Sequence, residues 1–442
     1  MVQDSGEGKA GRRVLVLGAY GLIGSEVCRQ LIKGGHSVTG LGRDRATANS
    51  VLPDIPWVIR DLSDLCEAQA WLGVLDGFDV VVNCAGALQE SYRDDLEVVH
   101  SEAIGALVEA CKSLDSSVVQ ISSVGAVLDA STPFLRTKAQ GDELIRTSGI
   151  RYCIYRPGLV IARSAYGGTA LLRMLASFPI IQPIAHAEAK VQTVFVEDLA
   201  LAVASFVSGD VPSGTECDLV EEQAHSLKEL ISAHRAWLGF KPALSFVHFP
   251  DWFVEFTSSI ANFFGRLGWR SPLRSSAMQV MSEDILGDAE PWKTINGSHL
   301  RSLNETFKSM SAQVEDRLFA RMALLMPLMV GVLSLFWFLS GVIGFYSIEK
   351  AAQVLIDVGW AKEFAMMSVA FWAVVDLVLA GAILIRKYAK LACWGMIGVS
   401  LFYLLASSLI VPSLWLDPLG PMVKVLPSLG LALVVRVLLE SR

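Results

Sequence analysis

The sequence predicts an α/β domain built on a doubly wound parallel sheet, followed by an all-α bundle of four transmembrane helices. Three observations support this prediction. Short apolar runs alternate with helix-length segments from residue 13 to about 210, a glycine triplet follows the first run, and four long apolar segments lie beyond residue 316. Alternating strand and helix patterns are typical of parallel sheets covered on both faces.

Composition narrows the class of protein. Of the 442 residues, 52% are hydrophobic and 18% are charged, against about 25% charged in ordinary soluble domains. The net charge is −7 without a block of basic residues, so nucleic acid is not an expected partner. Residues 1–12 form a polar tail without the apolar core of a cleavable signal. The scattered cysteines and histidines predict reduced thiols and no metal site.

A dinucleotide site is predicted directly after the first strand. Residues 14–17 read VLVL and precede Gly18, Gly21 and Gly24 in a GxxGxxG spacing, and a helical segment follows. The first glycine permits a tight turn, the second lets the backbone approach a pyrophosphate at the helix N-terminus, and the third allows close packing of helix and strand. A second strand, HSVTGLGR, completes the context that predicts nucleotide binding.

The end of that second strand bears on which dinucleotide binds. An NAD site presents an acidic residue there to the ribose 2′-hydroxyl, whereas an arginine suits a 2′-phosphate. Here Arg43 follows Leu41 and Gly42, and Asp44 comes next. NADP(H) is therefore favoured over NAD(H). The alternative for Arg43 is a solvated loop residue.

Further motifs resemble the atypical or extended short-chain dehydrogenase/reductase superfamily, which includes NAD(P)-dependent epimerase/dehydratase-like and NmrA-like proteins. RDLSD, VVNCAG, ISSVGA, YRPG and VFVEDLA occur in the order that this superfamily shows them. The resemblance implies an NAD(P)-binding Rossmann domain over 13–210, with Asp61 near the adenine. The cofactor-binding residues that the glycine motif and the resemblance together imply are Gly18, Tyr20, Gly21, Leu22, Ile23, Gly24, Arg43, Asp61, Leu62, Cys84, Ala85, Gly86, Ser122, Lys138, Pro157 and Gly158.

The resemblance also implies an active site with a Tyr-x-x-x-Lys pair and a serine. The tyrosine carries the proton that accompanies hydride transfer, the lysine lowers its pKa and holds the ribose, and the serine orients the carbonyl. Phe134 stands at the tyrosine's position, while Lys138 and Ser123 are retained. General acid catalysis contributes about 10²- to 10⁴-fold, so ordinary alcohol or ketone turnover is not expected. Ser123 and Lys138 are the catalytic candidates.

The apolar segments within residues 316–442 predict transmembrane helices, because about 20 apolar residues cross a bilayer core. They cover about 322–346, 364–385, 391–411 and 422–439. WLDPLGPMVKVLP resembles the end motif of the DoxX-like membrane family, with Val425 in place of the asparagine expected there. Basic residues before the first span and between the second and third put both termini and the Rossmann domain on the cytoplasmic side of the cytoplasmic (inner) membrane.

Two features each admit two interpretations. Residues 211–315 suit a substrate-side subdomain or a membrane-proximal collar, and their stretch FPDWFVEFTSSIANFFGRLGW suits a lipid-facing belt or a packed core. Asp376 stands about midway along the second span, where a carboxylate is costly. It is either a functional group or a hydrogen-bonded structural one.

Two hypotheses for function follow from these expectations. The first is an NAD(P)-dependent oxidoreductase that lacks the usual tyrosine and acts on an apolar substrate such as a quinone, isoprenoid or lipid-like molecule. The second is a non-catalytic NADPH-binding sensor, subunit or assembly factor of a respiratory membrane complex. The lipid bilayer is a partner in both. Phe134 favours the second, while Lys138 and the serine pair favour the first.

Overall fold

The computed structural model describes residues 11–90, 95–165, 167–269, 271, 273–274, 278–279, 282–418 and 420–440. Most of the predicted polar tail, residues 1–10, therefore lies outside the described residues. The chain folds as two compact units. One comprises the residues up to 258 together with 272–313, and the other comprises 259–271 together with 314–442.

The first unit is built on a seven-stranded sheet in which every pairing is parallel. Its strand order is β11-β6-β5-β4-β1-β2-β3, so the chain winds outward in both directions from β1 and β4. This confirms the predicted doubly wound sheet. The strands are β1 (Arg13–Leu17), β2 (Ser37–Gly42), β3 (Trp57–Ile59), β4 (Val80–Asn83), β5 (Ser117–Ile121), β6 (Tyr152–Pro157) and β11 (Thr215–Leu219).

The core lies on both faces of this sheet, because successive strand side chains point to opposite sides. Val14 and Val16 of β1 pack into one apolar cluster, and Leu15 and Leu17 pack into the other. The helices that begin in this unit are α1 (Leu22–Lys33), α2 (Arg45–Val51), α3 (Ala68–Leu75), α4 (Ala103–Leu114), α5 (Pro133–Arg146), α6 (Gly168–Ala176), α7 (Val196–Val207), α8 (Leu227–Trp237), α9 (Asp251–Arg266), α10 (Glu290–Asn296) and α11 (Leu303–Ser309). Of these, α9 continues past Ser258 into the second unit.

Short strands form three two-stranded pairings beside the main sheet: β7 with β10, β8 with β13, and β9 with β12. Their bounds are β7 (Leu159–Ile161), β8 (Ile181–Ile184), β9 (Lys190–Val191), β10 (Thr193–Phe195), β12 (His225–Ser226) and β13 (Ser245–His248). A buried carboxylate ties this region together. Glu221 accepts hydrogen bonds from Thr193 Oγ1 at 2.5 Å and from the Leu303 amide at 2.7 Å.

The main sheet extends past residue 210, the predicted end of the Rossmann domain, because β11 (Thr215–Leu219) is its edge strand. The edge strand β11 reads TECDL, and only alternate residues of it are buried. Such a short, half-polar strand lacks the apolar run by which the inner strands are recognised. The segment 211–315 is divided, since 259–271 belongs to the second unit and the remainder belongs to the first.

Within the described residues, the second unit has four helices that are long and apolar enough to cross a membrane, as predicted. They are α12 (Val314–Tyr346), α14 (Lys362–Ala382), α15 (Arg386–Ile410) and α16 (Pro421–Leu438), with the short α13 (Ile348–Ile356) after the first. Only 17% to 22% of the residues in their apolar windows are buried. Most of this apolar surface therefore faces outward, as lipid-exposed helices require.

The helix bounds differ from the predicted spans mainly at the charged ends. The first helix begins at Val314 instead of 322, because Glu315 and Asp316 continue it as a polar first turn. Acidic residues are favourable at that end of a helix dipole. The third begins at Arg386 instead of 391, since its basic residues form the first turns. A hydropathy pattern identifies the apolar part of a helix, not its charged turns.

Candidate functional site

The candidate site lies at the switch point of the sheet. β1 and β4 are neighbours, with Leu17 opposite Asn83, while the chain leaves β1 toward β2 on the other side. Loops that leave two adjacent strands in opposite directions create a crevice at the carboxyl edge of the sheet. The glycine loop after β1 and the Asn83–Gly86 segment after β4 flank this crevice.

The glycine loop after β1 is held by close backbone contacts. Gly18 has a φ of +67°, and a Cβ there would lie 2.9 Å from the Ala85 Cα. A Cβ on Gly24 would lie 2.3 Å from the Gly18 carbonyl oxygen. Real Cβ atoms do not approach other atoms that closely, so only glycine allows this packing of loop, helix and β4.

The N-terminus of α1 faces this loop. Gly21 precedes the first turn with a φ of −71° and has no side chain with which to cap it. First-turn amides have no acceptor within their own helix, and they form the positive end of its dipole. The Leu22 and Ile23 amides therefore suit an anionic group such as a diphosphate, and they fit the dinucleotide that the motif predicts.

The carboxyl end of β2 brings together three of the predicted residues. The Tyr20 hydroxyl accepts a hydrogen bond from the Arg43 amide at 3.2 Å, and a Cβ on Gly42 would lie 2.3 Å from the Tyr20 ring. The Arg43 guanidinium is 3.6 Å from the Asp61 carboxylate, and each side chain is about a third exposed. An ion pair that is this exposed contributes little free energy by itself.

Asp44, the acidic residue next to Arg43, caps the helix α2 that follows it. Its carboxylate accepts a hydrogen bond from the Thr47 amide at 2.7 Å and caps α2. N-cap carboxylates stabilise a helix by about 0.5–2 kcal/mol. This interaction accounts for Asp44 as part of the α2 start.

The segment after β4 is positioned by buried polar side chains. Asn83 donates to Gln120 Oε1 at 2.8 Å and accepts from the Ala85 amide at 3.1 Å. The Cys84 thiol has a raised pKa because it is buried. At Gly86 a Cβ would lie 3.3 Å from His100 Nε2 and 3.6 Å from Lys138 Nζ. The backbone of this segment thus lies directly against the predicted catalytic lysine.

Lys138 lies on α5, buried to 7% exposure, and donates to the Ile121 carbonyl at 2.8 Å. Burial lowers its pKa, while the charges of Asp142 and Cys84 oppose this. Asp142, one turn further along α5, accepts a hydrogen bond from the Ser122 hydroxyl at 2.5 Å. Ser122 therefore orients the carboxylate beside the lysine.

The position of the missing tyrosine is filled by an apolar ring. Phe134, in the first turn of α5, packs edge-on against the His100 ring at 5.7 Å and lies 5.8 Å from Lys138 Nζ. The hydroxyl of Ser123 donates to the neighbouring Val124 carbonyl at 3.2 Å. Tyr155, on β6, donates its hydroxyl to the Ala202 carbonyl, so it does not replace the acid.

His100 is a site residue that the sequence analysis missed. It lies in a π-helical turn, Val98–Glu102, where its Nε2 accepts from the Ala87 amide at 3.2 Å and its Nδ1 is 2.9 Å from Thr137 Oγ1. Since Nε2 is an acceptor, Nδ1 carries the proton of a neutral ring. Burial, together with the charge of Lys138, lowers the pKa of His100 to about 2. A lone histidine in a helical segment has no sequence signal for this position.

The remaining predicted residues lie around the rim or in the core. A Cβ on Gly158 would lie 2.4 Å from the Gln192 carbonyl oxygen, and the Pro157 carbonyl accepts from the Val124 amide at 3.1 Å. The Leu62 side chain packs in the core beneath the sheet. Among the described residues, no group of three or more His, Cys, Asp or Glu side chains is placed to hold a metal ion.

In the second unit, Asp376 has a hydrogen-bonding partner. The Ser340 hydroxyl on α12 donates to the Asp376 carboxylate on α14 at 2.6 Å. These two helices pack closely, since a Cβ on Gly341 would lie 2.7 Å from the Ala373 carbonyl oxygen. This bond is the contact expected under the structural interpretation of Asp376.

Comparison with known families agrees with both resemblances. Residues 14–210 match the NAD dependent epimerase/dehydratase family, and residues 334–433 match the DoxX-like family. The chain therefore carries an epimerase/dehydratase-type Rossmann domain followed by a DoxX-like domain with four candidate transmembrane helices.

Two curated relatives match parts of the chain. The mitochondrial NADH-ubiquinone oxidoreductase 40 kDa subunit of Neurospora crassa is 25% identical over 223 residues, which cover 50% of this chain and 58% of that protein. An uncharacterized protein of Schizosaccharomyces pombe is 30% identical over 120 residues, which cover 26% and 33%. The chain thus spans less than two thirds of the length of either.

A solved structure supports the fold. The Bordetella bronchiseptica enzyme WbmH, determined in complex with NAD⁺, superposes with a TM-score of 0.51 at 18% identity, covering 70% of this chain and 98% of that one. At this identity the similarity concerns the fold alone. The Rossmann architecture found here is therefore one on which a bound dinucleotide has been observed.

Proposed function

We propose that this chain is a membrane-anchored oxidoreductase that binds NADP(H) in its Rossmann domain and passes a hydride to an apolar acceptor. The observation that carries the proposal is the buried Lys138, whose Nζ lies beside Gly86 and the Ile121 carbonyl. A buried ammonium is costly unless it is paired and hydrogen-bonded, and Lys138 has the Ile121 carbonyl and the Asp142 carboxylate for this purpose. Its presence without the tyrosine favours its other role, which is to hold a ribose.

In the proposed binding mode, each part of the crevice contacts a different part of the dinucleotide. The Leu22 and Ile23 amides receive the diphosphate, Asp61 lies toward the adenine, and Lys138 holds the nicotinamide ribose. Arg43 supports NADP(H) over NAD(H), because it lies at the end of β2, where an arginine suits a 2′-phosphate. When bound, the nicotinamide supplies the hydride.

The missing acid constrains the acceptor. A ketone that takes a hydride becomes a strongly basic alkoxide and needs a proton donor such as tyrosine. A quinone that takes a hydride becomes a phenolate-type anion, whose conjugate acid has a pKa of about 10, similar to tyrosine. Water can protonate that oxygen without a dedicated side chain. Phe134 therefore favours a quinone-type acceptor over an alcohol or ketone.

The membrane unit gives a reason to combine a dinucleotide-binding domain with an apolar acceptor. An apolar acceptor dissolves in the bilayer, and a tethered domain encounters it there at high effective concentration. The basic residues Arg317, Arg321, Arg386, Lys387 and Lys390 flank the spans on one side, which supports a cytoplasmic position for both termini and the Rossmann domain.

The test is to purify the full chain in detergent, titrate NADPH and NADH, and follow loss of the reduced nicotinamide with short-chain quinones and with ketones. We expect NADPH to bind and to be consumed with quinones but not with ketones. Phe134→Tyr should leave quinone turnover within a few fold and add ketone turnover. NADPH binding without consumption in either form of the protein would exclude the oxidoreductase.

A second candidate function is a non-catalytic NADPH-binding subunit, sensor or assembly factor of a respiratory membrane complex. The similarity to the Neurospora crassa 40 kDa subunit and the apolar ring of Phe134 favour it. Purification from native membranes in mild detergent should then return stoichiometric membrane proteins. A chain that elutes alone and consumes NADPH with quinones would contradict this candidate.

A further inference from the structure

We propose that α9 lies in the interface of the lipid bilayer, with a stripe of aromatic and aliphatic side chains inserted among the lipids. This inference rests on the proposed membrane anchoring of the second unit. It assigns one occupant, the bilayer surface, to an apolar helix face that is exposed among the residues the structure describes.

The stripe consists of residues at helical spacing along α9. Their exposed fractions are high for such large apolar side chains: Trp252 67%, Phe256 59%, Ile260 44% and Phe263 58%. At 3.6 residues per turn, these positions fall within an arc of about 80°. Exposed apolar surface of this extent marks a binding face.

The other faces of α9 have different surroundings. Ala261 is buried at 7% exposure and Ser258 at 5%, so the side opposite the stripe packs against protein. Glu255 and Arg266, both exposed, lie next to the stripe in the helical projection. An apolar stripe flanked by charges is the pattern of helices that lie in the plane of a membrane surface.

The core-packing interpretation of the aromatic stretch holds for other members of it. Phe253 stacks on Phe249 at 4.6 Å between ring centroids, and Trp269 packs against the membrane-helix core. The stripe residues alternate with these packed residues along the chain. Packing thus accounts for Phe253 and Trp269, and the lipid-facing interpretation is proposed for the stripe alone.

The segment that follows α9 is bonded to the ends of the spans. Trp269 Nε1 donates to the Leu384 carbonyl at 2.7 Å, and the Arg386 amide donates to the Leu267 carbonyl at 2.9 Å. Leu384 and Arg386 join α14 to α15, and Arg386 also donates to the Leu439 carbonyl after α16. The segment after α9 is thus bonded to the junction of α14 and α15, and Arg386 of that junction is bonded to the end of α16. Transmembrane helices end near the membrane surface, where tryptophan is enriched and where interfacial helices present tryptophan and phenylalanine to the lipid.

The test measures which solvent surrounds the stripe in the full chain. Nitroxide labels are placed at Phe256→Cys and Phe263→Cys in a Cys66→Ser background, and the chain is reconstituted into vesicles of phosphatidylcholine and phosphatidylglycerol. Collision rates with oxygen, which concentrates in lipid, and with a water-soluble nickel chelate are then compared. Leu244→Cys, at 85% exposure outside any helix, is the water control, and Phe338→Cys on α12 is the lipid control.

We expect labels at 256 and 263 to show several-fold more oxygen and fewer nickel collisions than the label at 244. If they match 244 while 338 reports lipid, the membrane anchoring stands and the α9 inference is overturned. If 338 also reports water, the anchoring fails and the inference falls with it. Labels at 256 and 263 shielded from both reagents would show a protein covering the stripe, which would likewise overturn it.

Discussion

The two halves of the candidate dinucleotide site are held together by different kinds of contact. Around the glycine loop the contacts are between backbone atoms, and added Cβ atoms on Gly18 and Gly24 would meet neighbours at 2.9 and 2.3 Å. Around α5 the contacts are made by the side chains of His100, Phe134 and Lys138.

This difference shows that nucleotide binding and proton transfer depend on separate groups in the site. A backbone cradle loses its shape when any side chain is added. A side-chain cluster can lose one hydroxyl and retain its packing, because phenylalanine and tyrosine rings have the same shape. The first half therefore predicts nucleotide binding directly, while the second predicts which reactions are absent.

The largest expected effect is the loss of NADPH binding when the backbone contacts of the glycine loop are disrupted. Gly24→Ala places a Cβ against the Gly18 carbonyl oxygen, and we expect saturable NADPH binding to be lost. Gly73→Ala is the matched control, because it is also helical and its Cβ would meet open space. That control should bind NADPH normally and gain about 0.5–1 kcal/mol of stability. Isothermal titration of both variants measures the contrast, and equal binding would contradict the role of Gly24.

The next largest expected effect is on the affinity for NADPH, through recognition of its ribose 2′-phosphate. Arg43→Glu replaces an attraction to a 2′-phosphate by repulsion, which we expect to weaken NADPH binding about 100-fold, or roughly 3 kcal/mol. NADH binding should change by less than about threefold by comparison. Arg45→Glu, an exposed charge reversal two residues away, serves as the control. Similar losses for both dinucleotides would refute the assigned role of Arg43.

A smaller effect tests the side-chain half. Lys138→Met keeps most of the volume but removes the charged donor, and we expect NADPH affinity to fall about tenfold, because the low end of the range for a hydrogen bond from a charged group is about 1.5 kcal/mol. Lys112→Met removes an exposed lysine paired with Glu109 on α4. It should leave NADPH affinity unchanged. Unaltered binding in the Lys138 variant would place the ribose elsewhere.

The smallest effect is the contribution of His100 to stability in acid. Its folded pKa is about 2, below the unfolded value of about 6.5, so the unfolded chain binds the extra proton. This contribution is present above pH 6.5 or so and is lost as the pH falls, by at most about 1.4 kcal/mol per pH unit. His100→Gln should flatten the acid limb of the free energy of unfolding by that slope.

Urea titrations of the detergent-solubilised chain between about pH 7 and pH 5 measure the effect of His100→Gln. Burial also lowers the pKa values of His36 and His234. These two side chains keep part of the acid dependence in the variant. An unchanged slope would mean that His100 titrates normally in the folded chain.

Much of the fold was predictable because its signals are local. The glycine triplet, the apolar strands and the four apolar helices are each contained in a short stretch of sequence. The edge strand β11 was missed because TECDL has a half-polar pattern. The early start of α12 was missed because hydropathy does not register a charged first turn.

The site divides in the same way. Gly18 and Gly24 were predicted from their spacing, and Phe134 and Lys138 from the resemblance to the short-chain dehydrogenase/reductase superfamily, but His100 was not predicted. Its position depends on the Ala87 amide and the Thr137 hydroxyl, which are 13 and 37 residues away in sequence. The hydrogen bond of Ser122 to Asp142 is similarly non-local.

The amino-acid sequence alone was sufficient to predict the alternation of the inner strands with helices, the glycine loop and the apolar spans, because backbone conformation and burial there follow from residue type and spacing. The three-dimensional packing was needed to learn which side chains meet at the crevice, which face of α9 is exposed among the described residues, and that Ser340 is a partner of Asp376. Those contacts join residues far apart in the chain, and packing geometry sets them.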